Sequence, residues 1–159
     1  MSNASRTVDQ NNLHAHLERL EWPVHLELGI EQVDDQHKRF FDLVASFVAG
    51  GDQVRMMRTL ALLNEYVMNH FRDEEALMAA SRYPRLEAHQ QRHLDFRATL
   101  GSLLERARSM TLDEIADDVQ HLIYEWFCRH IMTDDLDYAK HIATFQASRS
   151  GKWRSLPGY

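Results

Sequence analysis

The sequence predicts an all-α fold, an up-down-up-down antiparallel four-helix bundle preceded by an extended N-terminal arm. Three observations predict it. Apolar residues recur at steps of three and four along four segments, and short turn-forming stretches separate those segments. The 159 residues contain only six Gly and three Pro, few of the breaks a many-stranded protein needs. On this reading residues 1–33 are the arm, 34–147 the bundle and 148–159 a C-terminal tail.

The arm is polar to about residue 20 and carries His14 and His16. Trp22-Pro23 then opens a stretch read as extended to about Val33, because a residue before proline is biased away from helix. The first helix is expected from about Asp35 to Ala49, ending at the Gly50-Gly51 pair. The second runs from about Gln53 to Ser81 and is broken by Tyr83-Pro84. The third is expected from Pro84, a favourable first-turn residue, to about Ser109. Thr111 and Glu114 have the spacing of a capping box for the fourth, which continues to about Ala147. The basic tail, with Gly151, Lys152, Trp153, Arg154, Pro157 and Gly158, reads as irregular.

Composition narrows the function classes. One cysteine, Cys128, leaves no internal disulfide and fits a reducing compartment; by its position it reads as a packing residue. No apolar run approaches the ~18 residues of a membrane span, and the N-terminus lacks a signal-peptide core. A cytoplasmic protein without membrane insertion is therefore expected. A net charge of -6 disfavours nucleic acid as a partner.

Histidine is the anomaly, with ten in the chain. On the second helix the apolar stripe is Met56, Leu60, Leu63, Val67, His70, Glu74, Leu77, so an imidazole and a carboxylate occupy core positions. The third helix reads Leu86, His89, His93, Phe96, Leu100, Leu103. On the fourth, Ile115, Val119, Leu122 and Trp126 lead to His130, and on the first His37 shares a face with Phe41 and Val44. Any one of these histidines alone would read as a hydrogen-bonded core residue. Together, five imidazoles and a glutamate without partners would each cost about 1–3 kcal/mol or more, against a net stability of roughly 5–15 kcal/mol. A bound metal removes that penalty.

The donor set exceeds the four ligands of structural zinc and is too rich in nitrogen for calcium or magnesium. Mixed imidazole and carboxylate in this number suits a carboxylate-bridged pair of iron or manganese ions. No glutamate has a histidine three residues after it, which separates the chain from ferritin-like oxidases. On the fourth helix the second carboxylate stays open: Asp134 is four residues from His130, whereas Asp135 is about 140° from it on an ideal helix. A π-bulge or a side chain reaching from a neighbouring face would bring Asp135 round.

The motifs resemble those of the bacterial hemerythrins from about Trp22 to Ile142. They are Trp22 and Gly29-Ile30 leading to Asp35-Gln36-His37; His70-Phe71-Arg72-Asp73-Glu74-Glu75; His89 and His93; and Trp126, His130, Ile131, Asp135 and Tyr138. The resemblance implies two non-haem iron ions, bridged by carboxylates and an oxo or hydroxo group. His89, His93 and His130 would hold one ion and His37 and His70 the other, which keeps an open position. Glu74 and Asp135 would bridge, with Phe71, Trp126, Phe127 and Ile131 lining an oxygen pocket. The same likeness implies that dioxygen is the partner, bound reversibly for carriage, storage or sensing in a monomer, with no catalytic residues. Sensing would require a separate, unidentified protein partner. The alternative is a di-iron oxidase, peroxidase or nitric oxide scavenger. His121, His141, His25 and the two histidines of the arm fall outside the expected ligand set.

Overall fold

The computed structural model describes residues 22, 24–48 and 52–152. The arm upstream of Trp22, the Gly50-Gly51 cap and the tail beyond Lys152 lie outside the described residues. Four helices form an antiparallel bundle: α1 (Glu31–Val48), α2 (Gln53–Ala80), α3 (Leu86–Arg106, extended by a 3-10 turn Ala107–Ser109) and a long composite α4 beginning at Leu112. Among the described residues there is no strand.

Helix α1 begins four residues earlier than the sequence reading placed it. The constraint of Pro23 reaches only its own predecessor, and a local device starts the helix instead. The Asp34 carboxylate accepts the Leu28 N–H at 2.8 Å and the Gly29 N–H at 3.0 Å. Gly29 takes φ +78°, a left-handed conformation that glycine adopts without strain. Glu31 and Asp34 add negative charge to the first turn, where the helix dipole favours it. The preceding stretch is a 3-10 turn at Val24–Leu26 rather than a uniformly extended strand.

Helix α2 is capped by Asp52, whose side chain accepts the Arg55 N–H at 2.8 Å. Helix α3 starts two residues after Pro84, which sits in the turn. The capping box of α4 is present: the Thr111 hydroxyl accepts the Glu114 N–H, and Glu114 accepts the Thr111 N–H at 2.7 Å.

Helix α4 is α-helical over Leu112–Leu122, π-helical over Ile123–Cys128, α-helical at Arg129 and His130, π-helical again over Ile131–Asp135, and α-helical over Leu136–Lys152. It therefore overruns the expected end at Ala147: Gly151 is tolerated inside it, and the Ser148 hydroxyl donates to the Phe145 carbonyl at 2.7 Å. Five-residue closure in the π segments changes which residues share a face. Phe127, Cys128, Ile131 and Asp135 are all buried, whereas Trp126, on the expected stripe, is only half-buried.

Two apolar clusters enclose a polar layer. The larger contains Phe40, Phe41, Leu60, Leu63, Val67, Phe96, Leu100, Leu103, Ile115, Val119 and Phe127. The smaller, at the other end, contains Met78, Tyr83, Tyr138 and Ile142, with Leu28, Ile30 and Leu77 packed on it. Met78 thus takes the fully buried place that the stripe reading gave to Leu77.

Candidate metal centre

Each helix contributes to the polar layer. His37 comes from α1, His70 and Glu74 from α2, His89 and His93 from α3, and His130 and Asp135 from α4. None is more than 3 % exposed, and His37, Glu74 and Asp135 are fully buried. The i,i+4 spacing of His70 with Glu74 and of His89 with His93 places each pair on one face of its helix. His130 and Asp135 are five residues apart, the repeat of the π segment between them, so both face inward. That resolves the choice left open by spacing. Asp134 is turned outward, where it pairs with Arg92 and lies 3.2 Å from His130 Nδ1.

The imidazole nitrogens converge. His130 Nε2 is 3.1 Å from His89 Nε2 and 3.2 Å from His93 Nε2, and His37 Nε2 is 3.2 Å from His70 Nε2. Three mutually facing nitrogens cannot all be satisfied by one another's protons. Between these two groups stand the carboxylates. Asp135 Oδ1 lies 3.0 Å from His130 Nε2 and 3.3 Å from His89 Nε2, while its Oδ2 is 3.6 Å from His37 Nε2. Glu74 Oε2 lies 3.4 Å from His93 Nε2 and 3.6 Å from His70 Nε2.

The donor atoms fall into two clusters, each with its members within 4.8 Å of one another: Glu74, His89, His93, His130 and Asp135 in one, His37, His70 and Glu74 in the other. Glu74 belongs to both. Glu74 Oε2 and both oxygens of Asp135 are buried without a hydrogen-bond partner. Orphaned anionic oxygens of this kind are destabilising unless a cation meets them. The residues present therefore fit a metal, with Glu74 within reach of both donor clusters.

The electrostatics favour neutral imidazole at His37 and His70 and ionised carboxylate at Glu74 and Asp135. Burial lowers the His37 pKa to about 4, assisted by the neighbouring His70, and burial likewise lowers His70. Burial would raise the Glu74 carboxyl, as would Asp135, but the surrounding His70, His93 and His37 hold it at about 2. Asp135 is likewise pushed up by burial, yet His130, His89 and His37 hold it well below the usual carboxylate range. His93 goes the other way: burial pulls it down, but Glu74 and Glu75 outweigh that and raise it. Tyr138, fully buried, donates its hydroxyl to Glu74 Oε1 at 2.6 Å, which leaves Oε2 as the free oxygen.

The four residues read as pocket lining do not all sit on one side. Phe71 stacks on His93, with ring centroids 3.7 Å apart and planes at 4°, and Trp126 stacks on His130 at 4.3 Å and 15°. Both therefore cover the three-histidine side. Phe127 faces the two-histidine side, edge-on to His37 at 5.5 Å. Ile131 is buried in the larger apolar cluster. Trp22, quoted above only for the resemblance, stacks over His37 at 6.0 Å and meets Phe41 edge-on at 5.1 Å. Phe40 backs Phe127 at 3.9 Å.

Sequence reasoning also passed over the residues behind the imidazoles. Gln36 Oε1 is 2.9 Å from His70 Nδ1, and Glu75 Oε1 is 2.9 Å from His93 Nδ1. The i±1 neighbours of candidate ligands were the available signal, since an adjacent residue can reach round to a second helix's ring nitrogen. Among the described residues the remaining histidines stay outside the cluster: His141 Nε2 lies 2.8 Å from the Ser81 carbonyl, and His25 and His121 are exposed. Burial pushes the Cys128 thiol up to about 12, as expected of a packing residue.

Comparisons with known proteins agree with this geometry. The model of the hemerythrin HHE cation binding domain matches residues 28–142. The chain is 28% identical over 142 residues to a bacteriohemerythrin of Stenotrophomonas maltophilia, covering 84% of this chain and 92% of that protein. It is 31% identical over 117 residues to myohemerythrin-1 of Phascolopsis gouldii, covering 74% of this chain and 89% of the relative. A solved structure described as that of a leucine-to-phenylalanine mutant superposes with a TM-score of 0.67 at 25% identity, covering 77% of this chain and 95% of the other. With buried imidazoles from all four helices, a carboxylate shared between two donor clusters, and a family match across most of the bundle, the chain belongs to the hemerythrin family.

Proposed function

We propose that the protein binds dioxygen reversibly at a non-haem di-iron centre in the core of its bundle, for carriage, storage or sensing. The observation that carries this reading is the pair of buried donor clusters joined by Glu74, with unsatisfied carboxylate oxygens between them. His89, His93 and His130 would hold one ion and His37 and His70 the other. Glu74 and Asp135 would span the two, together with an oxo or hydroxo group. When bound, two ferrous ions supply the pair of electrons that dioxygen takes up and returns.

The chain's own groups do the rest. The unequal histidine count leaves the His37–His70 side with the smaller donor set, and hence with room for an external ligand. Phe127, Trp22 and Phe41 close that side with apolar surface and keep water and protons from it. Phe71 and Trp126 brace His93 and His130, fixing their ring planes. Tyr138 holds its proton toward Glu74 Oε1, which orients the carboxylate. No described helix is long and apolar enough to cross a membrane. With its one cysteine buried, the chain fits a cytoplasmic monomer, which gel filtration and light scattering would check.

The test is the visible absorption of iron-loaded protein, reduced without air and cycled between deoxygenated and air-equilibrated buffer. Charge-transfer bands that appear with oxygen and vanish on its removal are the expected result. A sample that oxidises once and never returns would overturn reversible binding and favour an oxidase or scavenger instead.

A further inference from the structure

The groups behind the ligand imidazoles differ in charge on the two sides of the centre. On the three-histidine side, His93 Nδ1 meets the Glu75 carboxylate at 2.9 Å, and the other Glu75 oxygen accepts the Gln90 amide at 3.1 Å. His130 Nδ1 makes no hydrogen bond, but the Asp134 carboxylate, paired with Arg92, lies 3.2 Å from it. On the two-histidine side the only such partner among the described residues is neutral. His70 Nδ1 meets Gln36 Oε1 at 2.9 Å, and His37 Nδ1 is buried without a hydrogen-bond partner.

The orientation of Gln36 is internally consistent. With His70 Nε2 turned into the cluster, Nδ1 carries the proton, and only the amide oxygen can accept it. The amide nitrogen then donates to Asp73 Oδ2 at 2.9 Å. A carboxylate is thus available on this side too, but an amide stands between it and the imidazole. Tyr66 fixes that segment of α1 by donating to the Gln36 carbonyl at 2.8 Å.

A carboxylate accepting from the far nitrogen of a ligand imidazole makes the imidazole a stronger donor to its metal, whereas an amide does so far less. We infer that Gln36 is a positioning residue that also insulates His70 from the charge of Asp73, keeping the metal held by His37 and His70 the electron-poorer of the pair. A metal held there would part with its electrons reluctantly, which would favour return of dioxygen over lasting oxidation. This inference rests on the di-iron reading and assigns Gln36 a part in it.

The test uses azide, a small anion that enters an open ferric position, and reads the energy of its charge-transfer band in the oxidised, iron-loaded full chain. Metal content and thermal midpoint are measured alongside. Gln36→Glu should move the band to shorter wavelength, because a more electron-rich ferric ion accepts charge less readily. It should also speed oxidation of the reduced protein in air by about 10-fold, within the range that outer groups shift metal sites. Asp73→Asn should leave the band in place, since the amide already isolates that charge. Glu75→Gln, acting on the other metal, should raise the midpoint potential of the centre without moving the band. A band unmoved in Gln36→Glu, or moved as far by Asp73→Asn or Glu75→Gln, would overturn the inference. If Gln36→Glu fails to take up metal, the Asp73→Asn and Glu75→Gln bands decide the matter by the same criterion. Absence of an azide band from the wild-type protein would instead remove the di-iron reading, and the inference with it.

Discussion

Helix α2 carries one buried stripe with two characters. From Met56 through Leu60 and Leu63 to Val67 it is apolar; from His70 to Glu74 it is polar, although both stretches are equally hidden from water. The first stretch gains its stability from burial itself, about 25 cal/mol per Å² of apolar surface. The second loses by burial and is compensated only when its donors meet a cation. The apolar end holds four helices in register, so that the other end can keep a destabilising layer in place.

The contrast breaks most visibly at its polar end. Glu74→Ala should remove most of the bound metal, because it takes a donor from both clusters at once. Glu75→Ala should weaken binding by about 10–100-fold, the range seen when an outer partner is lost. Elemental analysis of the two variants after identical loading checks this, and equal losses would sink the distinction between the adjacent glutamates. At the apolar end, Leu60→Ala should lower unfolding free energy by about 2–5 kcal/mol, since Leu60 is fully buried. Denaturant titration reads the loss, and metal content per folded chain should stay unchanged. A Leu60→Ala protein that is stable but metal-free would mean that the two ends are not separable.

Acid should act chiefly on the polar end. His37 has its pKa lowered from 6.5 to about 4, so the folded, metal-free chain binds fewer protons there than the unfolded one. Stability from this group is complete above about pH 6.5 and falls as pH drops toward 4, by roughly 3 kcal/mol. His70 shifts in the same direction and His93 in the opposite one, whereas the lowered Glu74 carboxyl extends the loss from 4.5 toward 2. Thermal midpoints of metal-free protein across this range should therefore decline with acidity; a flat profile between pH 7 and 4 would contradict the burial of His37. The smallest effect belongs to the opposite end. Thr111→Ala removes a capping box at the start of α4 and should lower stability by about 1 kcal/mol, measurable by denaturant midpoint, without altering metal content.

Most of the fold was legible because its signals are local. Steps of three and four placed α2 within one residue of its observed bounds and α3 within two at its start, with the expected end at Ser109 reached by the 3-10 turn, and the Thr111–Glu114 spacing marked the start of α4. The start of α1 was misplaced because its device is a backward reach, Asp34 to the Leu28 and Gly29 amides, that no periodicity encodes. The seven residues picked from the sequence come together in one polar layer, since core positions occupied by imidazoles stand out against leucine. Asp135 was legible only through the resemblance, because a π segment leaves no signature in composition. Sides of the pocket were not legible either. Phe71 sits directly after His70 and Trp126 four residues before His130, yet their rings turn onto His93 and His130.

The π segments of α4 have one more consequence, concerning chain length. A helix of constant pitch can address a site only at fixed angular stations, whatever residues it carries. Two local changes of pitch, one on each side of His130, work like the slide of a vernier, letting Phe127, His130, Asp135 and Tyr138 all be brought round to the same layer. What aims Asp135 is thus the number of residues between it and His130, not their identity. A single deletion between His130 and Asp135 would leave the two four residues apart, the spacing at which an ordinary α-helix already puts both on one face, so the carboxylate would reach the core without a π segment.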